Sequence, residues 1–199
     1  FDALLHATGR RANTENLGLE NTDIKVNERG FIEVDDYCQT NVENVFAVGD
    51  VNGGLQFTYV SLDDFRVVNG YLHGNKDYTR ANRKNVPYST FISPVLSHVG
   101  LHQAEAEENY SNVAVASLPV ANMPRGAVNQ DQRGIYKVIV DKDTNLILGA
   151  TLFGKNSEEI INIIKMAIDN KIPYTYIRDQ IFTHPTMAEN LNDVFKLIK

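Results

Sequence analysis

The residues best suited to chemistry lie near the end of the sequence, in the segment His-Pro-Thr-Met-Ala-Glu from His184 to Glu189. An imidazole has an ordinary pKa of about 6.5, so it can take up and release a proton near neutral pH. A nearby carboxylate can fix which ring nitrogen carries the hydrogen. The segment is therefore a candidate acid/base pair made of His184 and Glu189, although on local sequence alone a helix start explains it better.

The same segment also has a purely structural interpretation. Thr186 and Glu189 stand three residues apart, which is the spacing of a capping box at the start of a helix. An apolar stripe at helical spacing follows and predicts a last helix; its members are Leu191, Val194, Phe195 and Ile198. The two interpretations can coexist if Thr186 caps the helix while Glu189 serves His184.

A second candidate site is Gly49-Asp50, between an apolar run at 45–48 and a predicted helix. Glycine lets a ligand approach the backbone closely, and a carboxylate accepts hydrogen bonds from ribose-like or ribityl hydroxyls. The helix start near Phe57 and Thr58 would offer backbone N–H groups and a positive end to negative charge. Taken alone, however, an ordinary strand-to-loop turn explains Gly49-Asp50 better than a ligand site.

Other sites are excluded or disfavoured by spacing. No two of the 13 glycines stand two residues apart, so the G-x-G-x-x-G loop of a complete dinucleotide site is absent from the sequence. His98 and His102 are four apart without a glutamate between them, and we expect ordinary surface histidines rather than metal ligands. The single cysteine, Cys38, rules out a redox cysteine pair within this sequence and is expected to be a packing or surface thiol.

Composition narrows the class of partner. The formal net charge is -6, from 19 basic and 25 acidic residues, and this charge disfavours binding to nucleic acid. No stretch reaches the run of about 18 to 20 apolar residues that a membrane helix needs, and no signal peptide opens the sequence. We therefore expect a cytoplasmic protein with neither a nucleic-acid nor a membrane partner.

These sites must be positioned by elements that hydrophobic patterning predicts. Before residue 75 we expect buried strands at 2–7 and 45–48, a hairpin of 24–26 with 31–34, and a helix at 58–72. A polar stretch at 75–86 then predicts a domain boundary.

The second half predicts an antiparallel sheet of α+β type with a few helices. Its expected strands are 88–93, 96–101, 113–118, 135–140 and 146–153. A helix at 156–170 is expected to begin with a capping box of Asn156 and Glu159.

Two short signatures, together with the terminal motif, resemble a known enzyme family. Ala7-Thr8-Gly9-Arg10 and the segment from Asn44 to Asp50 are similar to those that bracket the second flavin-domain segment of class I pyridine nucleotide-disulfide oxidoreductases. The resemblance covers nearly the whole chain. It implies that residues 1–75 are an incomplete α/β segment of an FAD-binding domain and that residues 86–199 are the dimerisation domain.

The resemblance implies FAD as cofactor, NAD(P)H as co-substrate, a homodimer, and a small thiol-reactive or disulfide substrate. It also implies that His184 acts as acid/base for redox thiols of the partner subunit, that Glu189 orients His184, and that the His184–Pro185 bond is cis. The residues implied to contact FAD are Thr8, Gly9, Gly49, Asp50, Phe57 and Thr58.

Within the family, the segment from Phe57 to Arg66 most resembles bacterial reactive-chlorine-resistance flavoproteins of the hypothiocyanous acid reductase type. The chain is also similar to mercuric-reductase-like flavoproteins. Asn190 stands where glutathione reductases usually have a second glutamate, which disfavours that substrate. The chain begins with Phe1 and lacks the cysteine pair, so we expect a part of a longer enzyme that is inactive alone. The competing hypothesis is a non-catalytic homodimerisation module or a remnant.

Overall fold

The computed structural model describes residues 2–199 and separates into two compact units, the first ending at Arg83 and the second covering Lys84–Lys199. The first unit contains helix α1 (Thr58–Leu72), which spans the residues predicted from the sequence. Gly74 follows with a φ of 82°. Glycine adopts this left-handed backbone easily, which suits a helix end. The inner side of α1 carries the buried residues Val60, Asp64 and Val67.

The strand predicted at residues 2–7 is wrong. Residues 2–10 have no regular secondary structure, and Leu4 and Leu5 are 95% and 87% exposed. A strand persists when its backbone groups pair with a neighbouring strand, and none of the described residues pairs with this segment. The apolar pattern is therefore present without a paired strand among the described residues.

The other strands predicted for the first unit are reduced to single bridges. The run at 45–48 forms one bridge, Gln39 with Phe46, and the hairpin forms one bridge, Val26 with Ile32. The hairpin turn itself is formed, because the Gly30 amide donates to the Asn27 carbonyl at 2.9 Å. Short 3₁₀ turns complete the unit at Leu19–Asn21, Gly49–Asn52 and Arg80–Asn82.

The second unit is built on a five-stranded antiparallel sheet with the order β1-β2-β5-β4-β3. Its strands are β1 (Tyr88–Thr90), β2 (Leu96–Gly100), β3 (Val113–Pro119), β4 (Ile135–Asp141) and β5 (Leu146–Phe153). All five correspond to predicted strands. In the central pair, β4 and β5 run in register from Ile135 opposite Phe153 to Asp141 opposite Leu146, with a bulge at Ile139/Val140.

Helices pack against this sheet and close its core. They are α2 (Gln103–Asn109), α3 (Pro124–Val128), α4 (Ser157–Asp169), α5 (Tyr174–Asp179) and α6 (Asn190–Lys196). The buried cluster joins the sheet to the apolar sides of α4 and α6; its helical members include Ile160, Ile161, Ile164, Leu191, Val194 and Phe195. Within residues 2–199, no helix combines the length and apolar character needed to cross a bilayer.

The predicted capping box of α4 is wrong, although the helix itself is confirmed. Asn156 has a φ of 63°, whereas a capping side chain needs extended backbone, and its side chain makes no capping hydrogen bond. Ser157 takes the structural role instead. Its buried hydroxyl lies 2.7 Å from the Val95 carbonyl oxygen and 2.9 Å from that of Gly154.

Candidate functional site

The structure brings His184 and Glu189 into direct contact. Nδ1 of His184 lies 2.8 Å from Oε2 of Glu189, and the His184–Pro185 bond is cis, as the resemblance implied. A carboxylate only accepts hydrogen bonds, so Nδ1 carries the hydrogen and Nε2 is left to take up and release a proton. The His184 side chain is 72% exposed and that of Glu189 is 15% exposed. The imidazole is therefore oriented by the less exposed carboxylate of Glu189 and is itself accessible to other molecules.

Only one half of the capping box predicted for Thr186 and Glu189 is formed. The Glu189 amide donates to Thr186 Oγ1 at 3.2 Å, which is one half of the predicted capping box. The other half is wrong, because the Glu189 carboxylate contacts His184 instead of the Thr186 amide. The helix also starts later than the box predicts, since α6 begins at Asn190. Thr186 thus caps a turn, and Glu189 keeps its carboxylate for the imidazole.

The core holds the turn that carries this pair. Met187 is 3% exposed and Leu191 is fully buried, so the chain on both sides of Glu189 is anchored among apolar side chains. Asn192 Nδ2 donates to the carbonyl oxygens of Ile177 and Gln180 at 2.7 and 3.1 Å, which ties α6 to the end of α5. An exposed histidine therefore sits on a well-anchored support.

The Gly49-Asp50 turn forms the second candidate site, in the first unit. Gly49 is buried with a φ of 75°, and a Cβ at this position would lie 2.8 Å from Ser61 Oγ. Glycine is therefore required both by conformation and by space. The Asp50 carboxylate is 52% exposed and lies 3.5 Å from Nη1 of Arg10. It is available to a ligand that carries hydroxyl groups.

A residue that the sequence analysis missed organises this turn. Asp64, on α1, is 1% exposed, and its Oδ2 accepts hydrogen bonds from the Gly49 amide at 2.8 Å and from Asn52 Nδ2 at 2.9 Å. Its Oδ1 accepts from Nη2 of Arg83 at 2.6 Å. The sequence contained an indication of this role. Asp64 stands four residues after Val60 and three before Val67, so it is the one carboxylate on the buried side of the helix.

These contacts decide the ionisation of Asp64. Burial acts to raise the pKa of its carboxyl, but the hydrogen bonds from the Gly49 amide, the Arg83 guanidinium and Asn52 outweigh burial, and the pKa is lowered. Asp64 is therefore a charged group inside the first unit.

The remaining residues expected to contact FAD lie on exposed backbone or at a helix start. Phe57 precedes α1 with extended backbone and makes no capping hydrogen bond from its side chain, and Thr58 is the first helical residue. Thr8 and Gly9 belong to the irregular segment at 2–10, and Gly9 has a φ of 110° with open space where a Cβ would lie. Arg10 reaches from this segment to Asp50.

The expectation of a surface histidine is wrong for His98. This residue is 4% exposed, with Nε2 3.0 Å from the Gly100 carbonyl oxygen and Nδ1 2.8 Å from Thr151 Oγ1. Burial lowers the pKa of His98, and its ring stacks on that of His102 with centroids 3.8 Å apart. Both nitrogens of His98 are engaged, and the described residues contain no group of three or more metal-ligating side chains.

Cys38 is a packing thiol and not a surface thiol, the two alternatives that the sequence left open. It is fully buried, and burial, followed by the charge of Asp64, raises the pKa of the thiol to about 12. A thiol with this pKa is neutral at physiological pH and a poor nucleophile. Cys38 therefore has the burial and the neutral thiol expected of a packing residue.

Comparison with known proteins identifies relatives of both units. Residues 86–195 match the family model of the pyridine nucleotide-disulphide oxidoreductase dimerisation domain, and residues 1–64 match a second pyridine nucleotide-disulphide oxidoreductase model. The probable pyridine nucleotide-disulfide oxidoreductase RclA of Escherichia coli strain K12 is 52% identical over 198 residues, which cover 100% of this chain and 45% of RclA. Glutathione reductase of Burkholderia cepacia is 32% identical over 188 residues, which cover 94% of this chain and 42% of that enzyme.

A solved structure agrees with these matches. The Cu(II) complex of the HOCl-induced flavoprotein disulfide reductase RclA from Escherichia coli aligns with a TM-score of 0.96 at 51% identity, over 100% of this chain and 45% of that chain. The predicted α+β class, with its antiparallel sheet and flanking helices, is confirmed. The chain spans less than half the length of these relatives.

Proposed function

Because the chain belongs to the pyridine nucleotide-disulphide oxidoreductase family, we propose that it is the FAD-contacting and dimerisation part of a longer NAD(P)H-dependent flavoprotein disulfide oxidoreductase. The observation that carries this proposal is the hydrogen bond of 2.8 Å between His184 Nδ1 and Glu189 Oε2, under an imidazole that is 72% exposed. An oriented, accessible imidazole suits proton exchange with a thiol that comes from outside this chain.

His184 would act at a cysteine pair supplied by the partner subunit. Nε2 takes the proton of an attacking thiol, which leaves a thiolate, and returns a proton to the reduced product as it departs. Glu189 keeps the hydrogen on Nδ1, so that Nε2 remains the exchanging nitrogen. The buried, neutral Cys38 cannot replace the missing pair.

The first unit has residues that fit part of an FAD site. When bound, FAD would accept reducing equivalents from NAD(P)H and pass them to the cysteine pair. Asp50 has an exposed carboxylate suited to ribityl hydroxyls, and Gly49 presents backbone without a side chain beside it. The start of α1 at Thr58 offers helix N–H groups to negative charge on the flavin ring. Thr8, Gly9 and Phe57 complete the proposed set.

The substrate and assembly follow from the same relatives. RclA, which is named a disulfide reductase induced by HOCl, is 52% identical to this chain, and we infer a small thiol-reactive or disulfide substrate of a similar kind. The match to a dimerisation domain supports a homodimer. Exposed apolar side chains of the second unit also support it, since Ile181 is 98% and Phe91 is 79% exposed.

Replacing His184 in the full-length protein tests the proposal. We expect His184→Ala to lower turnover by about 10²- to 10⁴-fold, the usual range for a lost acid/base group, while FAD binding and flavin reduction by NAD(P)H stay normal. Steady-state assays and anaerobic flavin absorbance measure the two effects. The matched control is His73→Ala, because His73 is exposed and its Nδ1 lies 2.8 Å from the Asn69 carbonyl oxygen, away from the His184 motif in sequence. Unchanged turnover in His184→Ala would overturn the assignment and favour a non-catalytic dimerisation module.

A further inference from the structure

Helix α1 contains a buried charge that the proposed chemistry does not use. Asp64 is 1% exposed, so its side chain is shielded from solvent. A buried carboxylate is unfavourable unless it is paired, so a helix that only had to pack would carry an apolar side chain at this position. Its presence in an otherwise apolar stripe therefore needs an explanation other than packing.

The hydrogen bonds of Asp64 supply one. Oδ2 accepts from the Gly49 amide at 2.8 Å and from Asn52 Nδ2 at 2.9 Å. These donors are the first and last residues of the 3₁₀ turn Gly49–Asn52, and Asp50 lies between them. One buried oxygen thus holds both ends of the turn that presents the exposed Asp50 carboxylate.

The second oxygen of Asp64 is tied to the end of the first unit. Oδ1 accepts from Arg83 Nη2 at 2.6 Å, and Arg83 Nε donates to Asp63 Oδ2 at 2.7 Å. Tyr78 adds a hydrogen bond from its hydroxyl to Asp63 Oδ1 at 3.1 Å. Charge-assisted bonds of this length are strong and directional, so the guanidinium fixes the orientation of the Asp64 carboxylate.

We propose that Asp64 is a positioning residue for FAD: it sets the Gly49–Asn52 turn so that Asp50 meets the ribityl chain, and Arg83 holds Asp64 in place. This inference rests on the proposed function, which assigns Asp50 to FAD. Asp64 acts through the turn and not on the flavin, so its effect should pass through Asp50.

The test measures FAD affinity of the full-length protein by titrating the apoprotein and following flavin fluorescence. We expect Asp64→Asn to weaken FAD binding about tenfold or more, since one carboxylate oxygen becomes an NH2 group that faces either the Gly49 and Asn52 donors or the Arg83 guanidinium. Asp23→Asn is the matched control; it makes the same change at an exposed carboxylate of the first unit, and its FAD affinity should stay within about threefold. Asn52→Ala, which removes the same contact from the other side, should weaken FAD binding in the same direction if Asp64→Asn does not fold.

A double-mutant cycle separates positioning from a general loss of stability. If Asp64 acts through Asp50, the double variant Asp50→Asn with Asp64→Asn should bind FAD about as weakly as Asp50→Asn alone. Additive losses, or an unchanged affinity in both Asp64→Asn and Asn52→Ala, would overturn this inference alone. Failure of the unmodified full-length protein to bind FAD would overturn the proposed function and this inference with it.

Discussion

At the scale of single residues, the carboxylates of Glu189 and Asp64 each orient a group of the candidate sites. Glu189 lies 2.8 Å from Nδ1 of His184, while its Oε1 is buried with no hydrogen-bond partner among the described residues. Asp64 accepts hydrogen bonds from the Gly49 amide and from the Asn52 side chain, on either side of Asp50. In both cases a mostly buried acid orients a more exposed group of a candidate site, which would keep that group in one geometry before a ligand arrives.

The lowered pKa of Asp64 makes a prediction about stability and pH. Its native pKa lies below the ordinary 3.8, so between the two values the unfolded chain binds more protons and stability rises with pH. The contribution of Asp64 is therefore complete above about pH 4 and is lost as pH falls through the native pKa. We expect Asp64→Asn to destabilise the protein by on the order of 3 kcal/mol near neutral pH, because Arg83 loses its buried partner.

Urea unfolding at a series of pH values measures this effect. The gap in the free energy of unfolding between the unmodified protein and Asp64→Asn should narrow as the pH falls below about 4 and through the native pKa of Asp64, since a protonated Asp64 is neutral like Asn. Asp50→Asn is the control, because its carboxylate is half exposed and outside the buried network. A gap that stays constant with pH would contradict the charged state of Asp64.

At the scale of elements, α4 shows how one residue can replace another at a helix start. Asn156 is of a residue type that often caps helices, but its backbone is left-handed. The hydroxyl of Ser157 instead contacts the carbonyl oxygens of Val95 and Gly154. This contact links α4 to the chain just before β2, because Val95 precedes Leu96. The helix is therefore anchored to the sheet at its first residue.

We expect Ser157→Ala to cost about 0.5–1.5 kcal/mol, since the one hydroxyl hydrogen that lies between the Val95 and Gly154 carbonyl oxygens is lost while both carbonyls keep a backbone donor. Asn156→Gly should be neutral within about 0.5 kcal/mol or slightly stabilising, because glycine adopts the φ of 63° without strain and no side-chain cap is lost. Chemical denaturation of both variants measures the difference. A larger loss for Asn156→Gly than for Ser157→Ala would restore the capping role that the sequence suggested.

At the scale of the whole molecule, the proposed function places each active site between two chains. His184 is exposed on the second unit, the cysteine pair is absent from this sequence, and the second unit matches a dimerisation domain. In a symmetric dimer each chain offers the same surface to its partner, so two equivalent sites would form. A catalytic histidine placed in this way should serve the other subunit.

Mixed dimers test this arrangement in the full-length protein. Chains with His184→Ala and chains lacking the upstream cysteines should each be inactive, but after co-refolding in equal amounts about half of the dimers pair one of each and regain one site. Turnover should then recover to about a quarter of the unmodified level. Sedimentation equilibrium should report a dimer throughout. No recovery despite dimer formation would contradict a site shared between subunits.

The sequence by itself determined the elements whose partners lie nearby in the chain. The apolar spacing of α1 predicted its full span, and alternation predicted the five strands of the second unit, because these strands pair with one another. It also brought His184 and Glu189 together as candidates, since they are five residues apart in one motif. Local periodicity is a property of the chain itself, so helices and strands of this kind can be predicted without knowledge of the fold.

Only the tertiary structure decided which groups pair across distance. It left the apolar run at 2–7 unpaired, took the Glu189 carboxylate to His184 instead of to a helix cap, and gave the buried Asp64 its contacts with Gly49 and Arg83. Strand pairing and hydrogen-bond partners depend on which atoms meet in three dimensions, and burial determines how strongly a charge selects among them. The periodicity of a segment contains neither kind of information.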